Sequence, residues 1–149
     1  MIGDYAAWSY FMSLPDPANK EFIERFRAKF GSTRRISDPM LCAYVSVHLW
    51  AEAAEKAGSP EPAKVLSILR EEDFDGPGGL VKIDPETLHA WKRFRLGRVV
   101  EGNTFEVVWS SDLLVRPQPY LKTRSREAWD QFVWGLYKGW GNRWENPGR

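Results

Sequence analysis

One signal for the start of a helix occurs twice near the beginning of the chain, at Asp16-Pro17 and at Asp38-Pro39. Aspartate can accept hydrogen bonds from the free backbone amides of a first turn, and proline is preset for that turn. Apolar residues at helical spacing follow each signal, until Gly31 and Gly58 end the two patterns. The sequence therefore predicts a helix over 17–30 and a second one between Pro39 and Gly58.

The predicted second helix is apolar around most of its circumference, which is typical of a central helix covered on two sides. A shorter helix fits Pro62 to Arg70, with three apolar residues facing inward. These residues are Val65, Leu66 and Leu69.

Strand signals surround this helical region. Aromatic residues over 5–11 favour a strand, turn residues crowd 75–79, and a short strand is expected over 80–83. The segments 91–100 and 104–109 flank Glu101-Gly102-Asn103, which predicts a hairpin with a positive φ angle. Ser125 then opens an amphipathic helix. The order of strand, three helices, strands and helix indicates an α/β protein, and the length of 149 residues predicts one domain.

Composition argues against several functions. Lys plus Arg number 21 against 20 Asp plus Glu, so net charge gives no reason to expect a polyanion or a membrane surface as partner. The single cysteine, Cys42, is predicted to be inert within an apolar helix, and His48 and His89 lack metal-binding spacing. Glycines 76–79 indicate a turn, because a strand follows them and not a helix. The acidic run over 71–75 is expected to be a solvated helix end. We therefore expect no catalytic residue, metal or cofactor.

One basic stretch keeps a nucleic-acid alternative open. Residues 92–126 carry eight Lys or Arg side chains against three Asp or Glu, interleaved with aromatic residues. Stacking and phosphate contacts of this kind bind single strands. No nucleic-acid motif accompanies them, so a basic face on a hairpin is the favoured interpretation and no nucleic-acid partner is expected.

Five segments carry a resemblance to a known family. They are SYF at 9–11, DPANKEFIERFRAKFG at 16–31, SDPMLCAYVSVHLWAEAAEKAGS at 37–59, FDGPGGLVKIDPETLHAWK at 74–92 and WSSDLLVRPQPY at 109–120. The chain resembles the C-terminal third of the type I periplasmic solute-binding proteins of ABC transporters, in the branch that takes urea and short-chain amides. The resemblance implies a two-lobed α/β receptor, each lobe a parallel sheet flanked by helices, which delivers a small ligand to an ABC permease and catalyses nothing.

The resemblance also implies how the chain is organised. Residues 1–149 would form a single C-terminal segment with a partial type I periplasmic-binding-protein fold. Residues 1–92 would belong to the first lobe, as helices, and 93–149 would supply second-lobe strands, a β-hairpin region and a C-terminal helix. The full-length parent would be periplasmic. The chain as written has no signal-peptide pattern, which predicts a cytoplasmic location without membrane insertion.

Five residues are candidates for contact with a urea or amide ligand. By resemblance, the helix start at Ser37, Asp38 and Met40 faces the ligand cleft, where free amides and a carboxylate could meet a polar ligand. Ser9 and Tyr10 are further candidates, because ligands of open α/β sheets bind beyond the carboxyl ends of strands. The alternative for Asp38 is a plain helix N-cap.

Two further functions stay open at this point. A cytoplasmic amide-sensing module could derive from the same fold, and so could a protein-interaction module that has lost its ligand. A lobe without most of its parallel strands is also expected to self-associate, through sheet edges and through the apolar faces of Phe22, Phe26 and the helix over 40–57.

Overall fold

The computed structural model describes residues 1–119, 122–145 and 148. Tyr120, the last residue of the segment 109–120, lies outside these ranges. The elements are β1 (Tyr5–Trp8), α1 (Pro17–Phe30), α2 (Asp38–Ala57), α3 (Pro62–Leu69), β2 (Asp73–Gly76), β3 (Gly79–Ile83), β4 (Ala90–Trp91), β5 (Arg95–Val100), β6 (Thr104–Ser110) and α4 (Arg126–Gly139). The α/β class and the order of elements predicted from sequence are confirmed.

The chain divides into two compact units, residues 1–117 and residues 118–149. The first unit holds both sheets, three helices and the hydrophobic core. The second unit contains α4, none of whose described residues is buried. The division into lobes at residue 92 stays a prediction.

The helix boundaries follow the local signals closely. Asp16 accepts a hydrogen bond from the Ala18 amide at the start of α1, with 2.8 Å between the two atoms. Ser37 is the N-cap of α2, and Gly58 ends that helix with a left-handed φ of 59°. The interpretation of Asp38 as a plain N-cap is therefore wrong, because Asp38 is already the first helical residue.

The strands form two three-stranded sheets, ordered β1-β5-β6 and β2-β3-β4. Every pair among them is antiparallel, whereas the resemblance implied parallel sheets. Short turns join β2 to β3 and β5 to β6, and turns this short permit only antiparallel pairing. The predicted hairpin turn is confirmed, since Gly102 and Asn103 both have positive φ angles.

Three strand boundaries differ from the sequence prediction. The predicted segment 91–100 is divided between β4, which pairs with β3, and β5, which pairs with β6. The first strand ends at Trp8 and does not reach Phe11. Residues 73–76 form β2, although their composition predicted only a turn. The turn residues that follow β2 allow it to fold back on β3, and pairing with β3 stabilises it as a strand.

The core of the first unit lies where α1, α2 and β3 meet. Its buried side chains are Tyr10, Phe22, Ile36, Leu41, Val45, Leu49, Val81 and Ile83. The prediction that α2 is covered on two sides is wrong, because burial is confined to one stripe with four-residue spacing. On the other side of α2, Val47 and Trp50 are 66% and 47% exposed.

Three further expectations about burial are corrected. Leu66 is exposed and does not face inward with Val65. Phe22 belongs to the core, so it provides no exposed apolar face. Glu72 is buried rather than solvated, because Lys56 pairs with it, with Nζ 2.6 Å from Oε2.

Candidate functional site

The end of β1 meets the start of α2 inside the first unit, and this meeting brings four of the five predicted site residues together. Ser9 follows β1 directly, and its hydroxyl donates a hydrogen bond to Oδ1 of Asp38. Ser37, the N-cap of α2, lies beside Asp38 in the chain, and Tyr10 lies beside Ser9. The end of β1 therefore lies against the start of α2, and the role of these residues in ligand binding stays a prediction.

A cavity of about 140 Å³ opens at this meeting point. Its polar lining is Ser37 and Asp38, and the remaining lining residues are apolar or aromatic. These are Trp8, Tyr10, Phe11, Met12, Ile36 and Phe105. An apolar cavity with a few convergent polar groups is the ordinary form of a small-molecule site.

Asp38 is the acidic group of this cavity. It is half-buried and occupies the first position of a 20-residue helix. The free amides and the dipole of a helix start favour a negative charge at this position. A half-buried carboxylate can accept hydrogen bonds from more than one donor, so the bond from Ser9 leaves acceptor capacity for a ligand.

Tyr10 lines the cavity, but its hydroxyl serves the protein core. It donates to Oδ1 of Asn19, with 2.8 Å between the atoms, and burial raises the pKa of this hydroxyl above its ordinary value. Asn19 in turn donates to the backbone carbonyls of Met12 and Leu14. This network fixes the chain that leaves β1, and so it fixes one wall of the cavity.

Met40 is not brought into this cavity. Its side chain is 41% exposed, and it is absent from the lining residues. Its backbone amide donates to the Ser37 hydroxyl, with 3.4 Å between the atoms. Met40 therefore contributes to this region through its backbone amide, in the first turn of α2, and not through its side chain.

Sequence reasoning missed three contributors to this region. Trp8 and Phe105 line the cavity from β1 and β6, which belong to one sheet. Arg95 donates to the Ser9 carbonyl and thereby holds the residue that contacts Asp38. The alternation of apolar residues in β6 was a signal for Phe105, whereas nothing in the basic stretch distinguished Arg95 from its neighbours.

Metal binding, membrane insertion and cysteine chemistry are the other functions that the described residues can be tested for. Among them, no group of three His, Cys, Asp or Glu side chains could hold a metal ion. No helix in the described ranges is long and apolar enough to cross a membrane. The sequence predicted apolar surroundings for Cys42. The structure instead places a charged group against it, because Lys92 donates a hydrogen bond with Nζ 2.7 Å from Sγ.

Comparison with known proteins identifies relatives of the whole first unit. Residues 1–126 match the family model described as the periplasmic binding protein domain. A protein named limonene hydroxylase from Geobacillus stearothermophilus is 28% identical over 133 residues, which is 89% of this chain and 24% of that protein. The leucine-, isoleucine-, valine-, threonine-, and alanine-binding protein of Pseudomonas aeruginosa is 39% identical over 69 residues, 46% of this chain and 18% of that one.

Solved structures show the same relationship. A solute binding protein of an ABC transporter from Rhodopseudomonas palustris, in complex with 3,4-dihydroxy benzoic acid, matches 78% of this chain and 32% of its own, with 25% identity and a TM-score of 0.70. The leucine binding protein of Thermotoga maritima matches 73% of this chain and 31% of its own, with 22% identity and a TM-score of 0.61. The chain therefore spans about a third or less of these relatives.

Proposed function

The chain belongs to the periplasmic binding protein domain family, and on this premise we propose that it is the C-terminal segment of the substrate-binding component of an ABC transporter. The partial type I fold predicted from the sequence agrees with the family. The binding-protein names of the Rhodopseudomonas palustris and Pseudomonas aeruginosa relatives support a ligand-binding role for this chain. The periplasm of the full-length parent and an ABC permease as its partner are part of this proposal.

The observation that carries the proposal is the Asp38 carboxylate at the wall of an aromatic cavity. An acceptor in this position favours a ligand that presents N–H or O–H donors, because the carboxylate keeps acceptor capacity beyond the bond from Ser9. Urea and short-chain amides have such donors and little apolar surface. We therefore propose urea or a short-chain amide as the ligand, with its N–H groups directed at Asp38.

An α-amino acid is the second candidate ligand. The name of the Pseudomonas aeruginosa relative specifies leucine, isoleucine, valine, threonine and alanine. The ammonium group of an amino acid could donate to Asp38, and its side chain could contact the apolar lining residues Trp8, Phe11 and Phe105. The Rhodopseudomonas palustris protein binds a dihydroxybenzoic acid, whose hydroxyl groups are also donors. All three ligand classes would use the same acceptor, so a binding experiment must separate them.

Nuclear magnetic resonance on the isotope-labelled chain tests the proposal at the weak affinity expected of a partial site. We expect acetamide and urea, titrated to about 100 mM, to shift the signals of the Trp8 indole and of the Ser37 and Asp38 amides. Leucine and 4-hydroxybenzoate are titrated in parallel, and the ligand with the largest saturable response identifies the class.

Asp38→Asn should weaken this response, because the amide oxygen of asparagine is a weaker acceptor than the carboxylate. Asp4→Asn is the matched control, since Asp4 is exposed and lies away from the cavity lining. An unchanged response in Asp38→Asn, or shifts that map elsewhere in the first unit, would contradict the proposed site.

A further inference from the structure

Two arginine side chains, Arg93 and Arg95, line an open groove of about 470 Å³ in the first unit. The groove shares no lining residue with the cavity beside Asp38. Its wall includes the turn between β2 and β3, around Gly78. A function of this groove would therefore be additional to the proposed function and would not depend on it.

Arg95 is the first residue of β5 and is only 6% exposed. One terminal nitrogen donates to the Ser9 carbonyl, and the other donates to the Gly78 carbonyl, with 3.0 Å between the atoms. A guanidinium has five N–H donors, so these two bonds leave donors for another acceptor. Both acceptors are neutral, and the positive charge of Arg95 is not neutralised by them.

The hydrogen-bond acceptors of Arg93 are also neutral carbonyls. One of its terminal nitrogens donates to the carbonyls of Ser111 and Asp112, at 2.9 and 2.6 Å. Across the described residues, neither Arg93 nor Arg95 forms an ion pair with a carboxylate. Burial lowers the pKa of Arg95, the positive charge of Arg93 lowers it further, and the negative charge of Asp38 raises it. The two guanidinium groups are therefore close enough to repel each other.

Two acidic side chains, Asp16 and Asp75, also line the groove. Asp16 is engaged at the start of α1, where it accepts from the Ala18 amide. Asp75 is exposed on β2. In the described part of the chain neither carboxylate pairs with an arginine, so their charges repel an anion in the groove, and a dianion such as phosphate most strongly. A planar monoanion experiences less of this repulsion and matches the fork of N–H donors on a guanidinium.

We propose that this groove binds a small carboxylate, whose oxygens accept the remaining N–H donors of Arg93 and Arg95. Such an anion would give a direct charged partner to a buried cation whose two hydrogen-bond acceptors are neutral carbonyls, and burial of a charge without such a partner is costly. Arg95 would then contact the ligand while it donates to the Ser9 carbonyl and to the Gly78 carbonyl in the β2–β3 turn.

Titration of the labelled chain with sodium acetate and sodium benzoate tests this proposal, against sodium chloride at equal ionic strength. We expect a saturable shift of the Gly78 and Gly79 amides and of the Arg95 side-chain signal with the carboxylates, and none with chloride. A response to chloride of the same size would mean that the groove only screens charge, and it would overturn the proposal.

Arg93→Gln should weaken acetate binding at least fivefold, while the buried Arg95 stays in place. Arg98→Gln is the matched control, because Arg98 lies on β5, outside the groove lining, and pairs with Glu106 at the surface. Equal acetate affinity in wild type and Arg93→Gln would contradict the proposal. The acetamide response at Trp8 should survive in Arg93→Gln, so failure of the carboxylate site and failure of the Asp38 site give different results.

Discussion

The buried carboxylate of Asp84 accepts a hydrogen bond from the guanidinium of Arg116, with Nε 2.9 Å from Oδ2. The same carboxylate accepts from the Thr87 amide and hydroxyl and from the Trp91 indole. Arg116 also pairs with Glu86. One side chain therefore holds together the loop after β3, strand β4 and the segment that follows β6.

The Asp84 cluster makes stability depend on pH. Burial works to raise the pKa of Asp84, but hydrogen bonds from Arg116, Thr87 and Trp91 outweigh it and hold the pKa below its ordinary value. A carboxyl group with a lowered pKa contributes stability above its unfolded-state pKa and loses that contribution as the pH falls. We expect the free energy of unfolding, measured by urea denaturation, to decrease as the pH drops below about 4.

Asp84→Asn should be less stable at neutral pH and should lose part of this pH dependence. Asp4→Asn, an exposed control, should keep it. The same acid dependence in Asp84→Asn and wild type would show that other carboxyl groups cause it.

The buried stripe of α2 should dominate the stability of the first unit. Leu49 is 4% exposed and packs in the core, so Leu49→Ala should cost about 2 to 5 kcal/mol in the free energy of unfolding. Val47 lies on the exposed side of the same helix, and Val47→Ala should cost less than about 0.5 kcal/mol. Chemical denaturation measures both values, and equal losses would mean that the uncovered side of α2 is buried in solution.

Self-association is expected from that uncovered side. Val47 and Trp50 form an exposed apolar strip on α2, and such surfaces tend to find partners. Light scattering coupled to size exclusion should show a dimer or larger species at about 100 μM. Trp50→Lys should reduce the mass, while Leu113→Lys, at an exposed site outside α2, should not. A monomer with cooperative unfolding would show that the first unit is self-sufficient.

Tight binding of amides by this chain alone is not expected. Urea has about 4 non-hydrogen atoms, and the binding free energy of a small ligand has a ceiling of roughly −1.5 kcal/mol per such atom. A site that encloses urea fully could therefore reach about −6 kcal/mol, which corresponds to a dissociation constant of some tens of micromolar. The cavity beside Asp38 leaves part of the ligand hydrated. Calorimetry should therefore find no binding of urea, acetamide or formamide tighter than about 1 mM. A saturable response below about 100 μM that Asp38→Ala removes would show a complete site.

Local signals in the sequence determined the helices and one hairpin of this protein. Asp16-Pro17, Ser37 and Gly58 act on backbone groups within a few residues of themselves, so the limits of α1 and α2 could be predicted from neighbouring residues. The hairpin at Gly102 and Asn103 follows from the same kind of local preference. Ser9 and Asp38 were predicted as site residues on separate grounds, a rule on strand ends for Ser9 and a family resemblance for Asp38, and their hydrogen bond was not predicted.

Only the tertiary structure decided which groups share an environment. Glu72 and Asp84 look like exposed acids in the sequence, yet Lys56 and Arg116 pair with them from distant segments. Arg95 resembles its basic neighbours until the pairing of β1 with β5 places it against Ser9. Burial and charge pairing depend on contacts between residues far apart in the chain, and residue types and spacing carry no direct record of those contacts.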